Sequence, residues 1–407
     1  MLTQKDHLLH IVKYQLFGGE RPATDGCDLP KLLQEAQMQA VFLTVFPAVQ
    51  GELKRRFPQE YAGQLEAFHS EIIKCTNNFS EHAELHRLMT ENGVPYCTLK
   101  GAASAYYYPD TSLRIMGDVD YLVYEKDFER AKQLVLGQGF AVDHGDDAQS
   151  KHVALKRRPF SIWEQHRSFN TPEGAVGKRI GEEIGSVIET AHTVSVDVAT
   201  CRIPDDFHHG LIMLLHVIAH MTGEGIGLRH LCDWAVFAHR LDNETFVRLF
   251  EKKLKAFGLW KFAQILTLVS EKYLGIAHRA WAQNPGVTDA HLEDVMDDIL
   301  KGGNFGYKDR NRYREIKYIA NRGTSTVDDK NVLAQVFGTL NEKTRGDYPW
   351  ANRHRALLPI GWLAEGGRYA GLLISGKRKS EATYDMLREA AKRKSIYSQM
   401  RLFEEEL

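Results

Sequence analysis

Two carboxylates separated by one apolar residue, Asp118 and Asp120, are where chemistry first shows in this chain. They run straight into Tyr121-Leu122-Val123, a strand-favouring triplet. Residues i and i+2 of a strand project from one face, so the two acids are expected side by side. Like charges at that distance repel, and a cation between them removes the repulsion. Hard oxygen ligands of this kind suit Mg2+ or Mn2+. Upstream, Lys100-Gly101 follows a short apolar run from Val94 to Leu99. A glycine lets backbone approach a phosphate closely, and a lysine supplies positive charge. Gly117 marks a turn just before the acids, and Arg114 stands four residues before Asp118. The planar fork of an arginine is a natural phosphate partner. The chemistry these residues suggest is metal-assisted work on a nucleoside triphosphate. An Asp-x-Asp by itself is commonplace on surface strands and turns, and it is the neighbours that give this one weight.

The stretch LKG…YYYPDTSLRIMGDVDYLV resembles the nucleotidyltransferase superfamily whose prototype is DNA polymerase beta. More narrowly, it looks like a bacterial family labelled "uncharacterised nucleotidyltransferase". The residues that carry the resemblance are Leu99, Lys100, Gly101, Tyr108, Pro109, Arg114, Asp118 and Asp120. It is strongest over about residues 85 to 240 and fainter towards the C-terminus. The resemblance implies that Lys100, Gly101, Ala102, Ser104 and Arg114 hold the nucleotide, and that Asp118 and Asp120 hold metal. There is one departure. The wider superfamily usually follows its glycine with Ser or Gly, whereas Ala102 follows Gly101 here. The nearest hydroxyl is then that of Ser104.

Two-metal phosphoryl transfer requires a third carboxylate from a neighbouring strand. Glu164 is preferred, in Phe160-Ser161-Ile162-Trp163-Glu164-Gln165-His166. Alternation puts Glu164 and His166 on one face with Ile162 and Phe160. The acid-x-His order also matches the resembling family. The rival is Asp197, in Val194 to Val198, where clean alternation points its side chain to solvent. His216 and His220 are spaced to share one helix face, but Val217 stands where a zinc-protease helix needs Glu, so a histidine pair at an interface is expected rather than a metal site. Arg229 and Asp233 have the spacing of an intrahelical pair. In the resembling family such a pair of helices recurs. This implies a helical lid over the catalytic sheet, with His166, His216, His220, Arg229 and Asp233 near the substrate.

The elements that position these residues fall into three expected regions: helices over 1–92, a catalytic core over 93–203 and a helical domain over 204–407. Helical apolar spacing recurs at Leu8, Leu9, Ile11, Val12 and Leu16, and again from Leu32 to Met38. A helix from Gln64 should stop at Asn92-Gly93. The core reads as strands over 94–99, 114–124, 153–156, 160–166 and 193–198, with helices over 102–108 and 126–136. Pro204-Asp205-Asp206 carries helix-start chemistry. Helices are expected over 211–221, 229–241, 244–273, 288–301 and 381–406, and a polar loop over 302–327. Tyr348 to Trp350 and Leu357 to Trp362 suggest a docking segment, and the basic runs at 377–379 and 392–394 a solvated face. The fold class expected is α+β: a small mixed-sheet, polymerase beta-like core flanked by helices.

At 407 residues the chain can bury a large core, and 43% hydrophobic with 26% charged residues is ordinary for a globular protein. A net charge of -1 argues against long nucleic acid as a partner. Five scattered cysteines (Cys27, Cys75, Cys97, Cys201, Cys232) form no C-x-x-C pair, which fits reduced thiols in the cytoplasm. No apolar run approaches the length of a membrane span. The expected activity is transfer of a nucleoside monophosphate from an NTP, ATP foremost, to a small-molecule or protein acceptor with Mg2+ or Mn2+. Two other readings stand beside it. One is an Asp-x-Asp glycosyltransferase using a nucleotide sugar, which the helical first 90 or so residues disfavour. The other is a nucleotide-binding module that has lost turnover.

Overall fold

The computed structural model describes residues 2–147, 150–157, 161–169, 171–309, 312 and 380–405. It divides into two units, one of residues 1–309 with 399–407 and one of 310–398. In the second unit, the described part is Arg312 and helix α15 (Ser380–Met400) up to residue 398, with the Arg312 guanidinium donating to the Tyr397 hydroxyl at 2.9 Å. The loop expected over 302–327 beyond residue 309, the segments at 348–350 and 357–362, the basic run at 377–379 and Phe160 lie outside the described residues.

The first unit begins with four helices: α1 (Gln4–Phe17), α2 (Leu29–Met38), α3 (Phe42–Arg56) and α4 (Pro58–Glu91). Thr3 and Asp6 form a capping box at α1, and Asp28 caps α2 ahead of Pro30, so side-chain oxygens take the free amides of each first turn. Helix α4 ends at Asn92-Gly93 as its sequence requires, with Gly93 at φ +62°.

A mixed five-stranded sheet follows, in the order β1-β2-β5-β4-β3. Its strands are β1 (Tyr96–Thr98), β2 (Val119–Val123), β3 (Ala141–His144), β4 (His152–Arg157) and β5 (Ser161–His166). Short helix α5 (Ala102–Ala105) lies between β1 and β2, and α6 (Phe128–Leu136) follows β2. Strand β2 pairs antiparallel with β1 and parallel with β5. One face of the sheet is apolar: Val119, Tyr121, Val123 and Trp163 pack with Leu85 and Met89 of α4 and Phe128 of α6. Each such large side chain, fully buried, contributes about 1.5–3 kcal/mol. Period-two alternation then commits Asp120, Glu164 and His166 to the opposite face.

Three expectations differ from what is observed. The segment around Thr193 is not part of this sheet. It forms β6 (His192–Val196), which among the described residues pairs only with β7 (Ala199–Ile203), in a separate two-stranded hairpin. Between β5 and β6 stand α7 (Gly174–Gly185) and α8 (Val187–Thr190), which the sequence reading did not include. The single helix expected over 244–273 is broken into α11 (Asn243–Phe246), a π-turn over Val247–Glu251, α12 (Lys252–Ala256) and α13 (Trp260–Leu274). Gly258 makes the break at φ +62°, where backbone of residues 403–404 comes so close that a Cβ would clash. Helices α9 (Asp206–Met221), α10 (Leu228–Arg240) and α14 (Asp289–Gly302) complete the unit, with Asp205 capping α9. No helix among the described residues is long and apolar enough to cross a membrane.

Candidate active site

The acidic side of the site is set by strand register. Asp120 and Glu164 are directly paired neighbours on parallel strands β2 and β5, so their carboxylates share one face. Asp120 is 5% exposed. The Lys100 ammonium lies 2.8 Å from its Oδ1, and the His166 ring (Nε2) 3.2 Å from the same oxygen. His166 also approaches Glu164 Oε2 at 3.6 Å. Burial disfavours a charged Asp120, but Lys100 and His166 outweigh it and hold the carboxyl well below its usual range. Burial likewise opposes a charge on His166, yet its hydrogen bonds to Asp120 and Glu164 raise its pKa.

Asp118 lies one residue before β2 rather than in it. Its side chain keeps contact with solvent, but the surrounding protein displaces much of its water. That desolvation first, and then the charges of Asp120 and Glu164, push its pKa up to about 6 from 3.8, against Lys100 and Arg229. The extended run before it is held from three sides. Thr44 of α3 donates to Leu113 O at 2.8 Å, Asn78 of α4 to Gly117 O at 2.5 Å, and Arg229 of α10 to Ile115 O at 3.3 Å.

Asp120, Glu164 and His166 are the one group among the described residues whose ligand atoms lie close enough together, within 4.8 Å, to hold a metal ion. Carboxylate oxygens suit Mg2+ or Mn2+, and a cation would share Asp120 with the Lys100 ammonium, 2.8 Å from Oδ1. The residues present therefore fit a divalent cation. Asp197 sits elsewhere, at the β6–β7 turn with φ +53°, exposed, accepting from its neighbour's amide (Val198 N, 2.7 Å) and from Thr111 Oγ1 (3.3 Å). Such a turn tolerates Asp in the left-handed region.

The Lys100-Gly101 turn is bound to the acidic strand through Leu99 N, which donates to Asp120 O at 2.9 Å. Gly101 has φ +60° and ψ -111°, and a Cβ there would come within 3.1 Å of His82 Nε2. Glycine is required on both counts. His82 is completely buried, and burial lowers its pKa to about 4, so it underlies the turn as a neutral ring. Ala102 is buried in the apolar cluster that holds Phe79, Val196 and Ala199, a packing position that would not present a hydroxyl to the site. Ser104 lines a cleft together with Lys100, His216, Arg229 and Asp233.

Besides Lys100, Ser104 and Arg114, that cleft is lined by residues of α9 and α10. It encloses about 350 Å3 of space counted with its open mouth. Arg114, expected as a phosphate partner, is instead committed to Asp233 of α10: Nε to Oδ1 at 2.8 Å and Nη2 to Oδ2 at 2.9 Å. Tyr108 donates to the same carboxylate at 2.8 Å. This also corrects the intrahelical pairing of Arg229 with Asp233. A buried bidentate fork is a stronger partner than an i,i+4 neighbour, and Arg114 takes the position.

Arg229 is 9% exposed; its Nε has no hydrogen-bond partner, and its guanidinium lies 5.6 Å from the centre of the Phe305 ring. His216 and His220 face each other at 4.4 Å between ring centres, and His230 joins them at 5.4 and 5.8 Å. Burial lowers the pKa of all three, His220 to about 4 and the others well below their usual value, so they are neutral.

The family profile described as "Uncharacterised nucleotidyltransferase" matches residues 25–275. The chain belongs to this uncharacterised nucleotidyltransferase family. No curated protein sequence matches the chain. The matched span holds every residue from Lys100 to Asp233 named above, including the five-stranded sheet and helices α9 and α10. Phe305 lies beyond it. Three residues of this candidate site went unread in the sequence: His82, His230 and Phe305. His82 and His230 sit in helices whose apolar patterning gives no hint of what they face. Phe305 carried a signal, since an aromatic between Asn304 and Gly306 sits in turn-forming company, and it adopts φ +52°.

Proposed function

We propose that this nucleotidyltransferase moves a nucleoside monophosphate from an NTP, with ATP the first candidate, to the hydroxyl of a small-molecule or protein acceptor, releasing pyrophosphate. The observation that carries this reading is the register that sets Asp120 beside Glu164, with Lys100 on the same carboxylate. In it, Asp118, Asp120 and Glu164 hold Mg2+ or Mn2+. A divalent cation bound there offsets charge on the reacting phosphoryl group and acidifies the acceptor hydroxyl. Lys100 and the Gly101 backbone orient the triphosphate, and Ser104 offers it a hydroxyl. His166 holds Asp120 in one orientation through its 3.2 Å contact. Glu164, more open to solvent than Asp120, stands where it can take the proton of the attacking hydroxyl. The neutral rings of His216 and His220 stand by the substrate without adding charge.

The test is titration of ATP, GTP, CTP and UTP with Mg2+ into wild type and into Asp118→Ala/Asp120→Ala, followed by pyrophosphate release over an acceptor panel. Binding of at least one NTP by wild type alone, with pyrophosphate release, is expected. Equal binding by the double variant overturns the reading. Binding without release in any acceptor screen supports the non-catalytic module. Turnover confined to nucleotide sugars supports the glycosyltransferase.

A further inference from the structure

Cations and anions in the cleft can be matched one by one. Lys100 is paired with Asp120, and Arg114 with Asp233. Arg229 is a third cation on the same cleft wall, and no carboxylate among the described residues forms an ion pair with it. Asp233 has given both oxygens to Arg114 and one again to Tyr108. Asp233, and more weakly Asp118, act on Arg229 only through charge at a distance, against the like charge of Arg114. The guanidinium is nine-tenths buried; one donor reaches Ile115 O at a long 3.3 Å, and Nε meets nothing. Around it the three imidazoles are neutral and offer no counter-charge. A buried cation without a partner is costly for the fold. A chain that keeps one beside an open cleft has a place prepared for an anion.

The Phe305 ring lies by this guanidinium, and also packs against His220 and His230. Its turn is fixed closely: a Cβ on Gly227 would meet Asn304 at 2.8 Å, and one on Gly306 would meet Glu224 O at 2.4 Å. The arginine is thus oriented before any ligand arrives, which favours bidentate capture of phosphate oxygens.

We infer that Arg229, with Lys100 and Ser104, forms the anion subsite for the triphosphate, the role that sequence reading gave to Arg114. This rests on the nucleotidyltransferase reading above, and it names the group that holds the leaving end of the nucleotide. Arg114 is then the structural arginine of the cleft and Arg229 the binding one.

The probe is inorganic tripolyphosphate with Mg2+, measured by calorimetry and by the shift it produces in melting temperature. Wild type is expected to bind it, with ATP competing. Arg229→Gln should weaken binding at least tenfold, and Arg229→Lys should recover part of the loss. Arg240→Gln, which alters an arginine stacked on Tyr106, should bind as wild type does. Because Arg229 carries an unpaired buried charge, ligand-free Arg229→Gln should melt no lower than wild type. A large fall in its melting temperature would instead mark a structural arginine and overturn the proposal. So would undiminished tripolyphosphate binding by Arg229→Gln, or no binding by wild type. Equal binding of orthophosphate without competition from ATP would assign the subsite to a phosphorylated acceptor, and also overturn it. Pyrophosphate release measured in parallel separates the two claims. Release that persists with an unchanged KM in Arg229→Gln defeats this inference alone, and Arg229-dependent binding without release defeats only the transferase reading.

Discussion

The acidic sheet face and the helix-lined cleft beside it share Lys100 and form a sheet wall and a helical wall built on opposite principles. On the sheet wall, charges come in matched sets: Asp120 with Lys100 and His166, Glu164 beside them. On the helical wall, Asp233 is saturated by Arg114 and Tyr108, Arg229 is left over, and three histidines are held neutral. On the sheet wall the buried carboxylate, Asp120, already has its counter-charge in Lys100. The helical wall is electrically unfinished. In α+β sites of this kind, strands fix where charge must be concentrated, because register is rigid. Helices carried in from elsewhere in the chain supply the part that is finished by a ligand.

The comparison is sharpened most by setting Glu164 against Asp197. Glu164→Gln should lower turnover about 10^3-fold, since a metal contributes several kcal/mol and each 1.36 kcal/mol is worth tenfold in rate. Asp197→Asn, on the separate hairpin, should stay within about twofold of wild type. Comparable losses from both would mean that the sheet wall is not where the metal acids lie. Next in size is the Arg114–Asp233 pair. Asp233→Asn strands a buried guanidinium and should cost about 3–5 kcal/mol in urea unfolding. Arg114→Met/Asp233→Leu removes both charges and should recover much of that. A double variant as unstable as the single one would break the claim that this pair is a matched structural set.

Gly101→Ala should cost about 1–3 kcal/mol, because alanine is strained at φ +60°, ψ -111° and its Cβ presses on His82. An unchanged midpoint would mean the turn relaxes freely. The smallest effect concerns Asp118 in metal-free protein. Its folded pKa of about 6 lies above the ordinary 3.8. The folded state therefore holds the proton more tightly. The stability Asp118 contributes is full below 3.8 and is lost as pH rises through about 6. Asp118→Asn should accordingly melt above wild type at about pH 8, with the gap closing as pH falls through that window. A constant gap across the range would show that proton linkage is not its cause.

Much of the sheet wall could be read from the sequence, because its logic is local. Alternation in Trp163-Glu164-Gln165-His166 puts Trp163 and Gln165 on the core face and Glu164 and His166 on the other, as strand periodicity dictates. The Lys100-Gly101 turn was legible because the strained backbone requires glycine. The edge strand Ala141–His144 was not, since all four of its residues are exposed and no apolar pattern marks it. On the helical wall the sequence does not show partners that lie far apart in the chain. Arg114 resembled a phosphate ligand because its true partner lies far down the chain, and Arg229 resembled half of an intrahelical pair because the spacing fitted. Spacing reports which residues can meet along one element. It does not report which of them a third residue will claim.

That separation bears on the making of the protein. The clamp joins residues 119 positions apart. At about 5–20 residues per second, roughly 6–24 s of synthesis separate Arg114 from its carboxylate. During that interval the run that delivers Asp118 to the strand has no counter-ion for its arginine, and burying it is unfavourable. The nascent chain can shape its sheet early. Its acidic mouth takes its final form only once α10 has been made and docked.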